Sequence, residues 1–396
     1  MGENMGSTTP PSVPGTFILT RPTDAERRRT WSLTHPLWGP ALRHEDYVER
    51  EVYLTTVPLA KEGGLSQWIL TDPSLPPNER PILSSCETLR KRAIRARPDG
   101  SVEDGIAHGI GAVFTDAQYR GRGYANRLMR ELGLRLRTWQ GESKRRNSNP
   151  DEVFCSVLYS DIGKTFYAKL GWAPYPSSHV AFPPVSGAES GLAPQDGYRG
   201  AKARPIGYHE LAELCCADER LLRERVARTA RESGRTAVAL LPDLDQILWH
   251  LMREDYMMKR IFGRTPSVRG AVYGEKGRRV WAVWTRAYYG GLEKREGNTL
   301  HLLRVVVEDE EGMEEREVVE GFTEIVRIAQ CEATEWCLQE CQMWNPTGLL
   351  RRVVEGCGLE CAFVEREGES IASLMWYGEG TTEGVEWVAN EKFGWC

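Results

Sequence analysis

The sequence is short of several things, and each absence excludes a class. No apolar run is long enough to span a bilayer, so no transmembrane helix is expected. The N-terminus is rich in Ser, Thr, Pro and Gly and has no hydrophobic core of the kind a secretory signal needs. Met1-Gly2 opens like a myristoylation signal, but the position that wants Ser or Thr holds Gly6. Together these absences predict a cytoplasmic protein with no membrane partner. Basic charge is not in excess: 51 Lys and Arg against 56 Asp and Glu leave a net charge of −5, which gives no reason to expect nucleic acid. The one basic cluster, Lys144-Arg145-Arg146, sits among Asn147, Ser148 and Asn149 and reads as a solvated loop. The 10 cysteines lack the paired short spacers of a structural zinc site, although Cys331, Cys337, Cys341, Cys357 and Cys361 cluster late in the chain. They read as reduced, small hydrophobes, and no metal is expected. No Gly-Lys-Ser/Thr loop is present, and the glycine spacing does not fit a dinucleotide fingerprint.

What is there centres on His108 to Gln140. Gly109-Ile110-Gly111-Ala112-Val113-Phe114-Thr115 reads as a buried strand. Asp116 to Gly123 is a turn. A helix follows, with Ala125, Leu128, Met129, Leu132, Leu136 and Trp139 at steps of three and four along one face. Glycines at a helix start bring backbone N–H groups close to a ligand, and the helix end adds partial positive charge. Arg120 and Arg122 add charge-assisted contacts. That is a place for a phosphate, with an ordinary strand-to-helix turn as the plain alternative.

Gln118-Tyr119-Arg120-Gly121-Arg122-Gly123-Tyr124-Ala125 resembles the pyrophosphate signature of GCN5-related (GNAT) N-acetyltransferases. The later run from Val157 to Trp172, with Phe166-Tyr167 and Gly171-Trp172, resembles a second motif of the same superfamily. A longer match is narrower. Leu33-Thr34-His35-Pro36-Leu37-Trp38-Gly39, the Glu49-to-Leu70 segment, the Tyr159-to-Trp172 run and the tail Asn390 to Cys396 resemble the fungal L-lysine N6-acetyltransferase family of lysine catabolism.

In order along the chain, residues 1–14 read as disordered. Residues 15–185 read as a GNAT acetyl-CoA-binding catalytic domain, a mixed twisted sheet flanked by helices. Its strands are expected at Phe17-Ile18-Leu19, Glu51 to Val57, Ser66 to Thr71, Ile82 to Arg90, the central strand and Glu152 to Leu158. Asp24 is expected to cap a helix. Residues 186–205 form a linker. Residues 206–396 repeat the acetyltransferase order as a degenerate GNAT-like α/β domain completing the substrate pocket, with an unrelated α/β domain as the alternative. Where the first copy has its glycine turn, the second has Glu308-Asp309-Glu310-Glu311-Gly312-Met313-Glu314-Glu315, which would repel a pyrophosphate.

The resemblance implies acetyl-CoA as cosubstrate. It implies a coenzyme-binding set of Val113, Phe114, Thr115, Gln118, Arg120, Gly121, Arg122, Gly123, Tyr124, Ala125, Ser160 and Lys164. It implies Tyr167 as the acid that protonates the departing thiolate, with simple packing beside Phe166 as the alternative. Many members carry a carboxylate or His base on the central strand, but the corresponding positions here are Gly109 and Gly111. Three options remain: His108 turned inward by a bulge, water, or the carboxylate of Cys396. The last follows multidomain aminoglycoside acetyltransferases, which are similar in having a degenerate second half and deliver a terminal carboxylate to the site. For the acceptor, Trp284, Asp243 and Asp255 are candidates to line an amine, Arg304 to hold a carboxylate, and His35 to close over the substrate.

The expectation is therefore an acetyl-CoA-dependent N-acetyltransferase acting on a small-molecule primary amine, by resemblance the ε-amine of free L-lysine, in a ternary complex. The alternatives are another acceptor (polyamine, xenobiotic amine or protein) and a non-catalytic acetyl-CoA sensor or adaptor. Oligomeric state is left open.

Overall fold

The computed structural model describes residues 16–141, 152–185, 198 and 200–396. The segment 1–14 expected to be disordered, the basic cluster at 144–146 and most of the linker 186–205 lie outside the described residues.

The first half opens with β1 (Ile18–Thr20), α1 (Asp24–Trp38) and α2 (His44–Leu54). Thr23, not Asp24, caps α1: its hydroxyl accepts from Glu26 N while Glu26 reaches back to Thr23 N. Glu51 to Leu54 are helical, not the expected strand. The local alternation there is outweighed by Tyr47, Arg50 and Leu54, which bury one face at steps of three and four. Then come β2 (Leu65–Thr71), β3 (Ser84–Ala96), β4 (Val102–Phe114), α3 (Tyr124–Leu136), β5 (Val153–Ser160), α4 (Thr165–Ala168) and β6 (Ala173–Pro174). β1 to β4 pair antiparallel in sequence, whereas β4 and β5 run parallel with α3 crossing between them. α3 buries Leu128, Met129, Leu132 and Leu136 on the sheet, the face its periodicity predicts.

The first half ends in β7 (Ser178–Phe182), and the second half holds β8 (Arg204–Ile206), α5 (Tyr208–Ser233), β9 (Thr236–Leu240), α6 (Leu244–Phe262), β10 (Gly270–Tyr273), β11 (Val280–Ala287), β12 (Thr299–Val307), α7 (Glu315–Glu335), β13 (Glu340–Trp344), α8 (Gly348–Gly356), β14 (Ala362–Glu365), β15 (Ile371–Trp376) and β16 (Val385–Trp387). β10, β11 and β12 are antiparallel, and β12 pairs parallel with β13 across α7. This repeats the order of the first half. The acidic run before α7 is tied down by arginines: Glu308 by Arg279 and Glu311 by Arg228, each at 2.8 Å, and Glu310 by Arg225.

The sheets do not divide where the chain does. β7 pairs with β13 and β14 in the second sheet. β15 inserts between β5 and β6 of the first. β9 joins the same sheet along β3, and β16 joins β9. Each half thus supplies strands to the other.

His108 and His250 are buried and neutral. Burial pulls the His108 imidazole down to about 4 and that of His250 to about 3. Both folded values lie below the unfolded one near 6.5, so their contribution is complete above it. It is lost as pH falls from there toward the folded values. Each costs about 1.4 kcal/mol per pH unit in that window, about 4 kcal/mol together by pH 5. Urea unfolding at pH 7, 6 and 5 should show this falling stability; a flat profile would refute it.

Candidate active site

The glycine turn is built from local chemistry. Asp116 Oδ1 accepts from Gln118 N at 3.0 Å and starts a short helical turn over Ala117–Tyr119. Gly121 and Gly123 then adopt φ of 75° and 78°, the left-handed region that L side chains avoid. A Cβ at either glycine would meet nothing within 4 Å, so the space before them is open. Gly123 is the N-cap of α3 and offers no side-chain acceptor, which leaves the first helical N–H groups free of a capping partner. Arg120 and Arg122 are exposed beside them, with Arg120 Nε donating to the Thr115 carbonyl at 3.0 Å. The residues present fit a diphosphate: open space, free N–H groups, a helix dipole and two guanidiniums.

Beside this turn the sheet opens. The β4–β5 ladder ends at Ile110 opposite Leu158, while β4 continues to Phe114. Its pairing with β3 shifts register there, and Ala112 takes a φ of 51°, so β4 bulges. The β5-side backbone of Gly111, Ala112 and Val113 is left out of the ladder. An extended amide-bearing chain has donors and acceptors to meet along this edge.

The bulge lies beyond His108 and does not turn it inward. His108 is fully buried on the α3 side, with Nε2 donating to the Trp139 carbonyl at 2.9 Å. It is removed as a base. The opposite face of β4, at Gly109 and Gly111, is covered by the segment 390–396. A Cβ at Gly111 would lie 3.2 Å from Cys396 Cβ and 3.9 Å from its carbonyl oxygen. A Cβ at Gly109 would overlap Cys396 Sγ and Lys91 Cε. Three side chains fix this segment. Lys91, 2% exposed, donates to Gln246 Oε1 at 2.9 Å and to the Gly394 carbonyl at 3.0 Å. Gln246 and His250 both donate to the Phe393 carbonyl, at 2.6 and 2.8 Å. The sequence gives no signal for Lys91 or Gln246, which are 155 residues apart and meet only in the fold.

A cavity of about 30 Å³ reaches the bulge from the α1–α2 side. Trp31 and Thr34 of α1, Tyr47 and Glu51 of α2, Trp68 of β2 and Glu87 of β3 line it, and Ala112 lies at its end. Glu87 accepts from Gln67 Nε2 at 2.5 Å and from Trp31 Nε1 at 3.0 Å. Burial, then the charge of Glu51, raises its carboxyl above the usual range. Arg50 already holds Glu51, with Nε donating to Glu51 Oε1 at 2.9 Å, so Glu87, which has no ion pair among the described residues, is the carboxylate that suits a cationic amine among these aromatic rings.

Other expected residues are placed as follows. Tyr167 is buried on α4, edge-on to Phe166, with no hydrogen bond to its hydroxyl among the described residues. Burial holds its phenol above the ordinary value, so it keeps its proton at neutral pH. Ser160 spends its hydroxyl in a turn, donating to the Gly163 carbonyl at 2.7 Å, and Lys164 pairs with Glu367. Three acceptor expectations need correction. Trp284 is fully buried in the second core. Arg304 holds Asp218 with two bonds, at 2.8 and 2.7 Å, also bonds Glu391, and is 2% exposed, so its charge is spent inside the protein and not on a ligand. His35 does not line the cavity; its Nε2 donates to the Leu42 carbonyl at 2.9 Å and pins the α1–α2 connection. Asp243 caps α6, and Asp255 is held by Arg269 and Tyr208.

A family model described as the LYC1 GNAT-like C-terminal domain matches residues 179–396. A Yarrowia lipolytica protein named lysine acetyltransferase is 27% identical over 292 residues, 66% of this chain and 70% of its own. A Saccharomyces cerevisiae protein, described as uncharacterized protein YGR111W, is 24% identical over 94% of this chain and 96% of its own. A crystal structure from Enterococcus faecalis V583, titled a probable N-acyltransferase, superposes with a TM-score of 0.50 at 12% identity, covering 91% of this chain and 73% of that one. That likeness is one of fold.

Proposed function

The chain belongs to the LYC1 GNAT-like family and is a GNAT-type acetyltransferase, and on that premise we propose that it acetylates the ε-amine of free L-lysine from acetyl-CoA in a ternary complex. The observation that carries this is the acidic, aromatic cavity ending at the β4 bulge, beside an open double-glycine turn. The name of the Yarrowia lipolytica relative supports the same acceptor. Acetyl-CoA supplies the activated acyl group. The N–H groups from Arg120 to Ala125 hold its diphosphate, and the free edge of Gly111 to Val113 receives its amide-bearing arm. Glu87 holds the cationic amine beside the Arg50–Glu51 pair, and Trp31, Tyr47 and Trp68 exclude water around it. Tyr167 keeps its proton at neutral pH and gives it to the leaving sulfur. The base takes the place on β4 that Cys396 occupies over Gly111, either Cys396 itself or a water it holds. The second half binds no coenzyme, because paired carboxylates stand where the first has glycines. We place the enzyme in the cytoplasm, acting on a small molecule without nucleic acid or membrane.

Thiol release from acetyl-CoA tests this with lysine, with polyamines and with no acceptor. Lysine should give the highest kcat/KM. Bound coenzyme A with no thiol release for any amine would leave a sensor instead. Gly123→Val, which forces a β-branched residue to a φ of 78°, should weaken coenzyme A binding by about 10-fold or more. Unchanged affinity by calorimetry would remove the turn from the account.

A further inference from the structure

A second cavity, of about 20 Å³, lies where α6, β11 and β12 meet the segment 390–396. His250, Arg253, Arg286, His301, Lys392 and Trp395 are in its wall. Positive charge there exceeds negative. Arg286 is neutralised by Glu254 at 2.6 Å and by Glu332. Arg253 and Lys392 lack a direct partner: among the described residues neither side chain has an ion pair or a hydrogen bond. Arg253 lies 5.7 Å from the Trp395 ring. Lys392 is 4% exposed and sits 4.3 Å from both the Trp344 and Trp395 rings. Ring faces offset part of the cost of burying a cation, but they do not replace a counter-ion. Burial, then the charge of Arg366, pushes the Lys392 ammonium well below its usual value, and Arg253 adds to that.

We propose that Arg253 and Lys392 form a subsite for the carboxylate of the acceptor, so that the enzyme selects amino acids over simple amines. Position supports this. Arg253 lies near Arg50, Glu51 and Tyr47, and the last two line the first cavity. Acidic and cationic walls therefore adjoin, as a ligand with an ammonium at one end and a carboxylate at the other requires. A diamine offers nothing to the cationic wall and leaves it uncompensated. The inference rests on reading the first cavity as the acceptor site.

The test compares lysine with 1,5-diaminopentane, its counterpart without the carboxylate, in the full chain and in Arg253→Met and Lys392→Met. Both variants keep an apolar stem, and thermal melting shows whether they fold. The wild type should favour lysine in kcat/KM by about 100-fold, and each variant should lower that ratio by about 30-fold, as the loss of a charge-assisted bond does. The subsite is overturned if the wild type uses both amines equally, or if the ratio does not move in a folded variant. If the wild type turns over neither amine, the acceptor reading fails instead. Calorimetry of lysine binding with coenzyme A present then decides the subsite: weakening by Arg253→Met upholds it, and no binding, or no weakening, ends it.

Discussion

Gly109→Ala should lower turnover by about 100-fold while leaving coenzyme A affinity unchanged. A glycine-to-alanine change in a strand ordinarily stabilises by about 0.4–1 kcal/mol. Here the added methyl overlaps Cys396 Sγ and Lys91 Cε, closer than real Cβ atoms approach. Lys91 has nowhere to go, because its ammonium is held between Gln246 and the Gly394 carbonyl. The segment over β4 must shift by about 1 Å, and a displacement of that size at a reacting centre costs about 100-fold. Overpacking should also cost about 1–3 kcal/mol of stability. Gly111→Ala is the comparison. Its methyl would stand 3.2 Å from Cys396 Cβ, a distance a small adjustment relieves, so it should retain most activity. Coenzyme binding is the internal control, since the turn at Gly121 and Gly123 has open space around it. Steady-state kinetics on both variants check this, and a fully active Gly109→Ala enzyme would mean that the 390–396 segment plays no part in the chemistry.

Arg304→Leu should cost about 3–5 kcal/mol of folding stability, the usual penalty for stranding buried charge. Arg304 is 2% exposed, Asp218 1% and Glu391 6%, so the two carboxylates lose their shared counter-ion away from water. Burial already raises the Glu391 carboxyl, and Arg304 opposes that shift. Replacing all three with apolar residues of similar size should recover much of the loss, since desolvation of the whole cluster disappears with it. Urea midpoints measure both. If Arg304 bound substrate instead, its loss would raise KM for the acceptor at unchanged stability, and that outcome would restore the expectation drawn from sequence.

How much could be read beforehand depended on how local each feature is. The glycine turn, α3 and the β12–α7–β13 repeat were legible, because the residues that make them are neighbours and their periodicity declares them. Arg304 misled for a physical reason. An arginine in an apolar strand signals a special role, but its partners lie 86 and 87 residues away and carry no mark in the sequence. Trp284 misled in the opposite sense, as an aromatic in a core strand. The cavity beside the bulge was missed because five elements each lend one to three residues to it, and Glu87 in its strand resembles any half-exposed carboxylate. Nor does a strand announce its sheet: Ser178–Phe182 and Ile371–Trp376 have ordinary β patterns, and only their register reveals the exchange.

That exchange orders events during synthesis. The strand that seals β5 lies at Ile371–Trp376, more than 200 residues after β5 itself. A nascent chain therefore carries its glycine turn long before the flank of that sheet exists. Until the late strand arrives, Val153–Ser160 presents an uncovered hydrogen-bonding edge, of the kind that invites wrong partners. The two halves can mature only together, and a fragment cut between them inherits an open sheet on either side of the cut.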